Sequence, residues 1–316
     1  MKLLIMALTS ALLSCAASLP PAGAFPPWSQ GRNNPAPDQG YVFQVPDIDN
    51  VPDLHGNPSD AKLVLFIGGN QFMVLPELVV RFEAVHPDLR GHIFYETLPP
   101  GILRKQLSNH GTLTLGNLTL NVRADVYEAG LRVLEGMVMD NEVERAVPYA
   151  TNQLTIMVRA GNPLGIHSLK DLGGAQVRLS MPNPEWEGVA RQIASSLEKS
   201  GGAKLVKTVM EDKVANGTTL LTQVHHRQTP MRILSGEADA GVVWASEALF
   251  QIKVGNPIAS VDIPGDQNTT ATYAAGVLKN APHPEAARAW VAFLGSQSAQ
   301  DAYRESGFGS TSSDRK

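Results

Sequence analysis

The sequence predicts an α/β protein of two lobes, each built on a mixed, mostly parallel β-sheet flanked by helices, with an extended N-terminal arm. Short apolar runs of strand length alternate with amphipathic helical patterns along most of the chain, and this order is typical of parallel sheets covered by helices. The alternation occurs in two sets that meet near residue 150. A length of 316 residues is enough for two domains of ordinary size.

The composition excludes several classes of protein. The chain has 26 Lys and Arg against 30 Asp and Glu, a formal net charge of −4, which argues against a nucleic-acid partner bound by bulk charge. A single Cys excludes a disulfide within the chain and a multi-cysteine zinc or iron–sulfur site. Beyond the first two dozen residues, no apolar run approaches the ~18 residues of a membrane span.

The N-terminus has the pattern of a secretory signal peptide. Met1-Lys2 is followed by an apolar run from Leu3 to Ala17, and Ala22-Gly23-Ala24 offers a small-x-small cleavage site. We therefore expect residues 1–24 to be removed on export. The residues that end at Cys15 also resemble a lipoprotein box, so a lipid anchor at this cysteine remains an alternative.

Residues 25–60 are rich in Pro, Gly, Asn and Asp, a composition in which few helices or central strands survive. We expect an extended arm that wraps a surface. The spacing of Tyr41, Phe43 and Val45 predicts that part of this arm adds to a sheet as an edge strand.

The first set of elements begins with an apolar run at 63–67 that ends at Gly68-Gly69-Asn70, which indicates a buried strand entering a tight turn. The helix after it is expected to begin near Met73, because a proline three residues later must lie in its first turn. Further strands, each followed by a helix, are predicted at 92–96 and 124–127.

The second set contains strands at 154–158, 176–180, 204–210 and 238–244, with helices at 168–172, 183–200 and 231–234. A last strand at 271–278 precedes a long helix from Pro284 to the end, and we expect this tail to return to the first lobe. The predicted organisation is a signal peptide at 1–24, an arm at 25–60, a first lobe of 61–150 with 270–316, and a second lobe of 151–269.

Six segments between residues 62 and 308 follow one another in an order shared with a known family. They are the strand, turn and helix at 63–86, the strand at 124–126, Asn152-Gln153-Leu154 with Ala160-Gly161-Asn162-Pro163, Ser168–Leu172, Gly236–Val243, and His283–Phe308. In this order the chain resembles periplasmic substrate-binding proteins of ABC importers, of the type that includes molybdate- and tungstate-binding proteins.

This resemblance implies a type II periplasmic-binding-protein fold with two crossing segments between the lobes. It also implies a ligand in the interlobe cleft, hinge closure on binding, a periplasmic location and delivery to an ABC permease in the inner membrane. A monomer is the family default.

Ligands of doubly wound sheets lie at the carboxyl ends of strands, where helix N-termini offer free N–H groups to an anion. The first loop of this kind holds Gly69, Asn70 and Gln71, where the amide of Asn70 replaces the serine hydroxyl of molybdate-binding relatives. The second runs from Thr97 to Gly101, with a hydroxyl and a backbone N–H as candidate donors. The alternative for the first loop is a tight turn without a ligand role. The alternative for the second is a helix start that a proline enters, also without a ligand role.

The third loop offers Trp186 as a wall of the site and Glu187 as a ligand contact. Glu185 and Glu187 would repel a bare oxyanion if they faced the cleft, and would instead favour a metal ion or chelate. The alternative is that these acids only satisfy a helix dipole. In the fourth loop, His226 lies near a helix start and Trp244 falls where molybdate binders carry a tyrosine.

The candidate metal ligands are Glu185, Glu187, His225 and His226, although adjacent histidines on a helix diverge by ~100°. We expect a non-enzymatic protein without a cofactor that binds an inorganic oxyanion, molybdate or tungstate first, with a metal ion or chelate as the alternative cargo. An enzyme is not indicated, because the sequence has no G-x-S-x-G elbow, Walker loop or H-E-x-x-H motif. A sensor or scaffold without a small ligand is a further alternative.

Overall fold

The computed structural model describes residues 41–43, 53–115, 118–185, 187–222 and 227–311. The predicted signal peptide, the lipidation site at Cys15 and most of the arm therefore lie outside the described residues, as do Trp186, His225 and His226.

The described part of the chain folds as α/β. Its strands are β1 (Tyr41–Phe43), β2 (Leu54–Gly56), β3 (Leu63–Ile67), β4 (Ile93–Glu96), β5 (Thr112–Leu115), β6 (Leu118–Asn121), β7 (Val126–Gly130), β8 (Val147–Arg159), β9 (Leu179–Met181), β10 (Thr219–Leu221), β11 (Ala240–Trp244), β12 (Ile258–Asp262) and β13 (Thr270–Val277). Its helices are α1 (Leu75–Val85), α2 (Pro100–Ser108), α3 (Leu131–Met139), α4 (Val189–Lys207), α5 (Lys213–Ala215), α6 (Gln228–Ser235), α7 (Ala245–Lys253), α8 (Pro284–Phe293) and α9 (Gln297–Glu305). Short 3₁₀ helices cover Gly69–Gln71, Pro87–Leu89 and Leu169–Gly173, and a π-helical turn covers Thr208–Asp212.

One sheet of 11 strands runs through the molecule in the order β1-β2-β4-β3-β7-β13-β8-β11-β9-β10, with β12 paired to β8. Strands β4, β3 and β7 are parallel, and so are β10, β9 and β11. Between these two groups, β13 and β8 pair antiparallel with each other and with their neighbours. The mixed sheet therefore has a parallel centre in each half, as the sequence predicts.

The apolar side chains separate into cores that match the two halves of the sheet. The first half has α1, α8 and α9 packed on one face, where Trp290 lies 5.1 Å from Phe82 between ring centroids. In the second half, α4 covers β9 and β11. Strand β8 contributes Tyr149 to the first core and Ile156 to the second, so it crosses between them, and β13 returns in the opposite direction. The resemblance implied two crossing segments of this kind.

The edge strand predicted around Tyr41 and Phe43 is confirmed, since β1 pairs antiparallel with β2 at the end of the sheet. The prediction of a long C-terminal helix is wrong in one respect. The chain forms two helices there, α8 and α9, because it turns at Gly295 and the hydroxyl of Ser296 caps α9 by accepting a hydrogen bond from the Ala299 N–H at 3.2 Å.

The strand predicted at 204–210 is wrong, because this segment is helical. Leu205, Val209 and Lys213 are all buried at a spacing of four residues, which is the period of a helix face. The β-branched residues in the segment suggested a strand, whereas the four-residue spacing of its buried positions decides the structure.

Three further differences concern the limits of elements. The helix predicted from residue 183 begins only at Val189, and α1 begins at Leu75 after a 3₁₀ turn. Strand β8 has 13 residues instead of the five predicted, because it belongs to both halves. The hairpin of β5 and β6 was not predicted.

Candidate functional site

The carboxyl ends of the parallel strands of both halves meet along one junction, which we call the cleft. On the first side it is bordered by residues 68–72 after β3 and 97–101 after β4. On the second side it is bordered by Thr222 after β10, by Arg227 before α6 and by residues 244–250. The two loops of the first side touch, since the Gly69 N–H donates to the Leu98 carbonyl at 3.0 Å. Across the cleft, the rings of Phe72 and Phe250 pack edge to face at 4.9 Å.

Asn70 is buried at the start of the helical turn after β3. Its Nδ2 donates to the Tyr273 hydroxyl at 2.5 Å, which fixes the side chain against strand β13. The Asn70 N–H and the Gly101 N–H have no hydrogen-bond partner among the described residues. Both belong to first turns of helical segments, where free N–H groups carry partial positive charge. They are suited to receive an oxyanion.

The side chain of Gln71 is directed away from a ligand role. Its Nε2 donates to the Tyr149 hydroxyl, and its Oε1 accepts from the Tyr303 hydroxyl at 3.0 Å. Both tyrosines belong to the first core. The amide of Gln71 therefore anchors the loop that presents Asn70, and Gly69 has its N–H already satisfied.

The loop after β4 leads to a charge pair that joins the two sides. The Thr97 N–H donates to the Asp53 carbonyl at 2.9 Å, and the Thr97 hydroxyl lies 3.5 Å from Oδ1 of the same aspartate. The Asp53 carboxylate forms an ion pair with Arg227, which precedes α6 on the second side. The guanidinium also lies over the ring of Phe72, 4.9 Å from its centroid.

Arg227 and Asp53 were missed as site residues by sequence reasoning. The segment that ends at Arg227 was recognised, but the ligand role was given to His226, which lies outside the described residues. The sequence could have indicated Arg227, because no other Arg or Lys occurs in the four segments proposed as site loops. Asp53 gave no signal, because it lies 174 residues from its partner in a proline-rich arm.

Glu187 is buried on the second side, where two donors of that side reach its carboxylate. Its carboxylate accepts from the Asn183 N–H at 3.1 Å and from the Thr222 hydroxyl. Glu185 is exposed, so the structure separates the two acids that the sequence offered together. Within the described ranges, no group of three His, Cys, Asp or Glu side chains is placed to hold a metal ion.

Trp244 ends β11 and is buried in the cleft. Its indole lies 6.1 Å from the ring of Tyr273, the same residue that holds Asn70. Beside it, Asn152 on β8 donates to the Ser246 hydroxyl at 2.8 Å. The two sequence-predicted residues Asn70 and Trp244 are thus brought together through a tyrosine that the sequence analysis did not single out.

Two buried carboxyl groups lie behind the first side. Burial raises the pKa of Glu96 to about 8, although a hydrogen bond from Gln106 at 3.0 Å lowers it in part and the charge of Asp53 raises it further. Burial likewise raises the pKa of Glu128 to about 7, although the hydrogen bond that Trp290 Nε1 donates to it at 2.7 Å lowers the pKa in part. Near neutral pH, Glu96 is largely protonated, so it adds little negative charge behind Thr97.

The comparisons with known proteins identify the family and the fold. Residues 63–309 match the family described as bacterial extracellular solute-binding protein, and the chain belongs to this family. The two-lobed type II fold implied by the sequence is confirmed by its structural relatives. None of the described helices is long and apolar enough to cross a membrane.

Particular relatives bind oxyanions. The chain is 31% identical over 162 residues to the molybdate-binding protein ModA of Mycobacterium tuberculosis, an alignment that covers 51% of this chain and 55% of that protein. It thus spans about half the length of the curated relatives it matches.

Two solved structures show the same fold at lower identity. The sulfate-binding protein SubI of Mycobacterium tuberculosis H37Rv has a TM-score of 0.64 at 18% identity, with 79% of this chain and 87% of that chain covered. The periplasmic molybdate-binding protein of Azotobacter vinelandii has a TM-score of 0.61 at 15% identity, with 78% and 98% covered.

Proposed function

We propose that this chain is the periplasmic solute-binding component of an ABC importer and that it binds a small tetrahedral oxyanion, molybdate or tungstate first, in the cleft. The observation that carries this proposal is the buried guanidinium of Arg227, which lies over the ring of Phe72 at the end of the loop that presents the open N–H group of Asn70. The loop that presents the open N–H group of Gly101 contacts that same loop. A tetrahedral oxyanion presents only acceptor oxygens, and helix N-termini and arginine present only donors. The sequence relationship to ModA supports the choice of ligand.

The charges around the cleft are compatible with an anion. The Glu187 carboxylate is satisfied by donors of its own side. Glu96 keeps its proton near neutral pH because burial raises its pKa to about 8. Selection then rests on the geometry of donors fixed before binding, which work best where water is excluded.

The lobes that close on the ligand are proposed to be 61–150 with 270–316 and 151–269, the limits expected from the sequence. The separation into two cores and the crossing of β8 and β13 support this division. We also propose that the chain is a non-enzymatic monomer without a cofactor, exported to the periplasm, and that an inner-membrane permease receives its ligand.

The proposal is tested with the mature protein purified from the periplasm of cells expressing the full sequence. Calorimetric titration and thermal shift are measured with molybdate, tungstate, sulfate, phosphate and a panel of divalent and trivalent metal ions. Ligand at 100 times Kd stabilises the folded state by about 2.7 kcal/mol, which raises Tm by about 5–10 °C for lobes of this size. We expect a rise in Tm of this size with molybdate or tungstate.

The buried Glu187 is the observation that favours a metal ion or chelate as the rival cargo. A shift with metal ions alone that is lost in Glu187→Gln would refute the oxyanion and leave a solute-binding protein with a different ligand. The exposed neighbour provides the matched control, since Glu185→Gln removes the same charge two residues away.

A further inference from the structure

The proposed function uses the guanidinium of Arg227 but gives no role to the Asp53 carboxylate that forms an ion pair with it. Both side chains are almost fully buried, at 3% and 0% exposure. The aspartate precedes β2 in the first half of the molecule and the arginine precedes α6 in the second. The pair therefore joins the two sides of the cleft.

A carboxylate at this place resembles part of an oxyanion. Two oxygens of a carboxylate and two oxygens of a tetrahedral oxyanion present a similar edge to the planar donors of arginine. Taking a charge pair out of water is costly, and such a pair is weak evidence for a purely stabilising role. The geometry therefore suggests that the aspartate occupies a position prepared for an anion.

We propose that Arg227 is the anion subsite of the cleft and that the Asp53 carboxylate is an internal counter-ion that the oxyanion replaces. This inference rests on the proposed function, which it sharpens by naming a cationic contact for the ligand and the carboxylate that competes with the ligand for it. The ligand class is a tetrahedral dianion such as molybdate, tungstate or sulfate.

The exchange leaves the backbone of Asp53 in place. The Asp53 backbone is held by the Thr97 N–H at 2.9 Å, and the strand that follows it pairs with β4. The carboxylate can turn about its own side-chain bonds while the backbone remains fixed. Arg227 keeps its contact with the ring of Phe72, which positions the guanidinium for either partner.

The experiment compares oxyanion affinity in the wild type, in Asp53→Asn and in Asp88→Asn by calorimetric titration with sodium molybdate, tungstate and sulfate. Asp88 is the control for charge, because Asp88→Asn removes the same charge from an exposed position. Asp88 precedes β4, whereas Asp53 lies beside Thr97 at the other end of that strand. Loss of the competing carboxylate should tighten binding of Asp53→Asn by about tenfold, which corresponds to about 1.4 kcal/mol. Asp88→Asn should bind as the wild type does.

Asp53→Asn should also have a lower Tm without ligand and a larger rise in Tm with ligand than the wild type. If this variant does not fold, the double variant Asp53→Asn with Arg227→Gln removes both charges together. It should fold and should lose oxyanion binding, and wild-type affinity in this variant would refute the subsite.

The outcomes separate the two proposals. If the wild type binds an oxyanion and folded Asp53→Asn binds it no more tightly, the inference about Asp53 is wrong and the proposed function stands. If neither protein binds any of the three oxyanions, the proposed function fails and the inference fails with it.

Discussion

The two sides of the cleft are built from different chemistry. On the first side, Asn70 and Gln71 are neutral amides held by tyrosine hydroxyls. On the second side, Glu187 and Arg227 are buried charged residues. The contacts of Gln71 remain within the first core, whereas the ion pair of Arg227 with Asp53 reaches across the cleft.

This difference indicates what each side contributes. Donors fixed within one core keep their geometry whether the lobes are open or closed, so the first side provides a preformed surface. A charge whose partner lies on the opposite side changes its environment whenever the lobes move. We therefore expect the first side to select the shape of the ligand and the second side to couple binding to closure.

The largest expected effect is on the charged side. Arg227→Gln should weaken molybdate or tungstate binding by about hundredfold, since truncating one partner of a buried charge pair costs about 2–5 kcal/mol. Arg227→Lys keeps the charge but loses the planar guanidinium, so its affinity should lie between those of the wild type and Arg227→Gln. Calorimetric titration measures both, with the exposed Arg191→Gln on α4 as control. A loss of less than threefold in Arg227→Gln would show that the guanidinium does not bind the ligand.

The neutral side should give a smaller effect. Asn70→Ala should weaken binding by about tenfold, because it removes the hydrogen bond to Tyr273 that fixes the loop and with it the backbone N–H donor. Asn70→Asp should weaken it further, because it places a negative charge beside the anion. Asn280→Ala is the matched control, since this exposed residue follows the end of β13, on the edge of the sheet away from Asn70. Equal affinity in all three variants would remove Asn70 from the site.

The smallest effect on ligand binding is expected for Glu96, whose substitution changes the dependence of stability on pH instead. The folded-state pKa of Glu96, raised to about 8 by burial, lies above the ordinary value of 4.5, so the folded protein keeps a proton that the unfolded chain loses. Stability due to this group is complete below pH 4.5 and is lost as pH rises toward 8, by no more than about 1.4 kcal/mol per pH unit.

Glu96→Gln should therefore have a flatter dependence of the free energy of unfolding on pH between these limits, while binding an oxyanion like the wild type near neutral pH. Urea unfolding at about pH 6.5 and about pH 7.5 measures the slope. Glu135→Gln, at an exposed position of α3, is the control. An unchanged slope in Glu96→Gln would mean that this carboxyl group is ionised in the folded protein.

The sequence predicted the neutral side better than the charged side. The run at 63–67 and the turn after it are local features, so the strand and Asn70 could be placed from a few residues. Trp244 was found in the same way, at the end of a strand. The contacts of Tyr273 with both residues depend on pairing between distant strands, which no local pattern contains.

The charged side depends on long-range contacts throughout. Asp53 and Arg227 meet only because β2 pairs with β4 and because the second half folds against the first. The segment at 204–210 was mistaken for a strand because β-branched residues suggested one, although its buried positions repeat every four residues. Local preference failed here because packing against the second core determines the helix.

The continuous sheet has a mechanical consequence. Because β13 and β8 belong to a hydrogen-bonded ladder of 11 strands, the lobes cannot swing freely, and any closure must twist that ladder. The ladder has one irregularity between these two strands, a shift of register between Tyr273 and Ala274. This shift lies beside the tyrosine that holds Asn70, so a twist of the ladder at this point would act on a residue that positions the first side of the cleft.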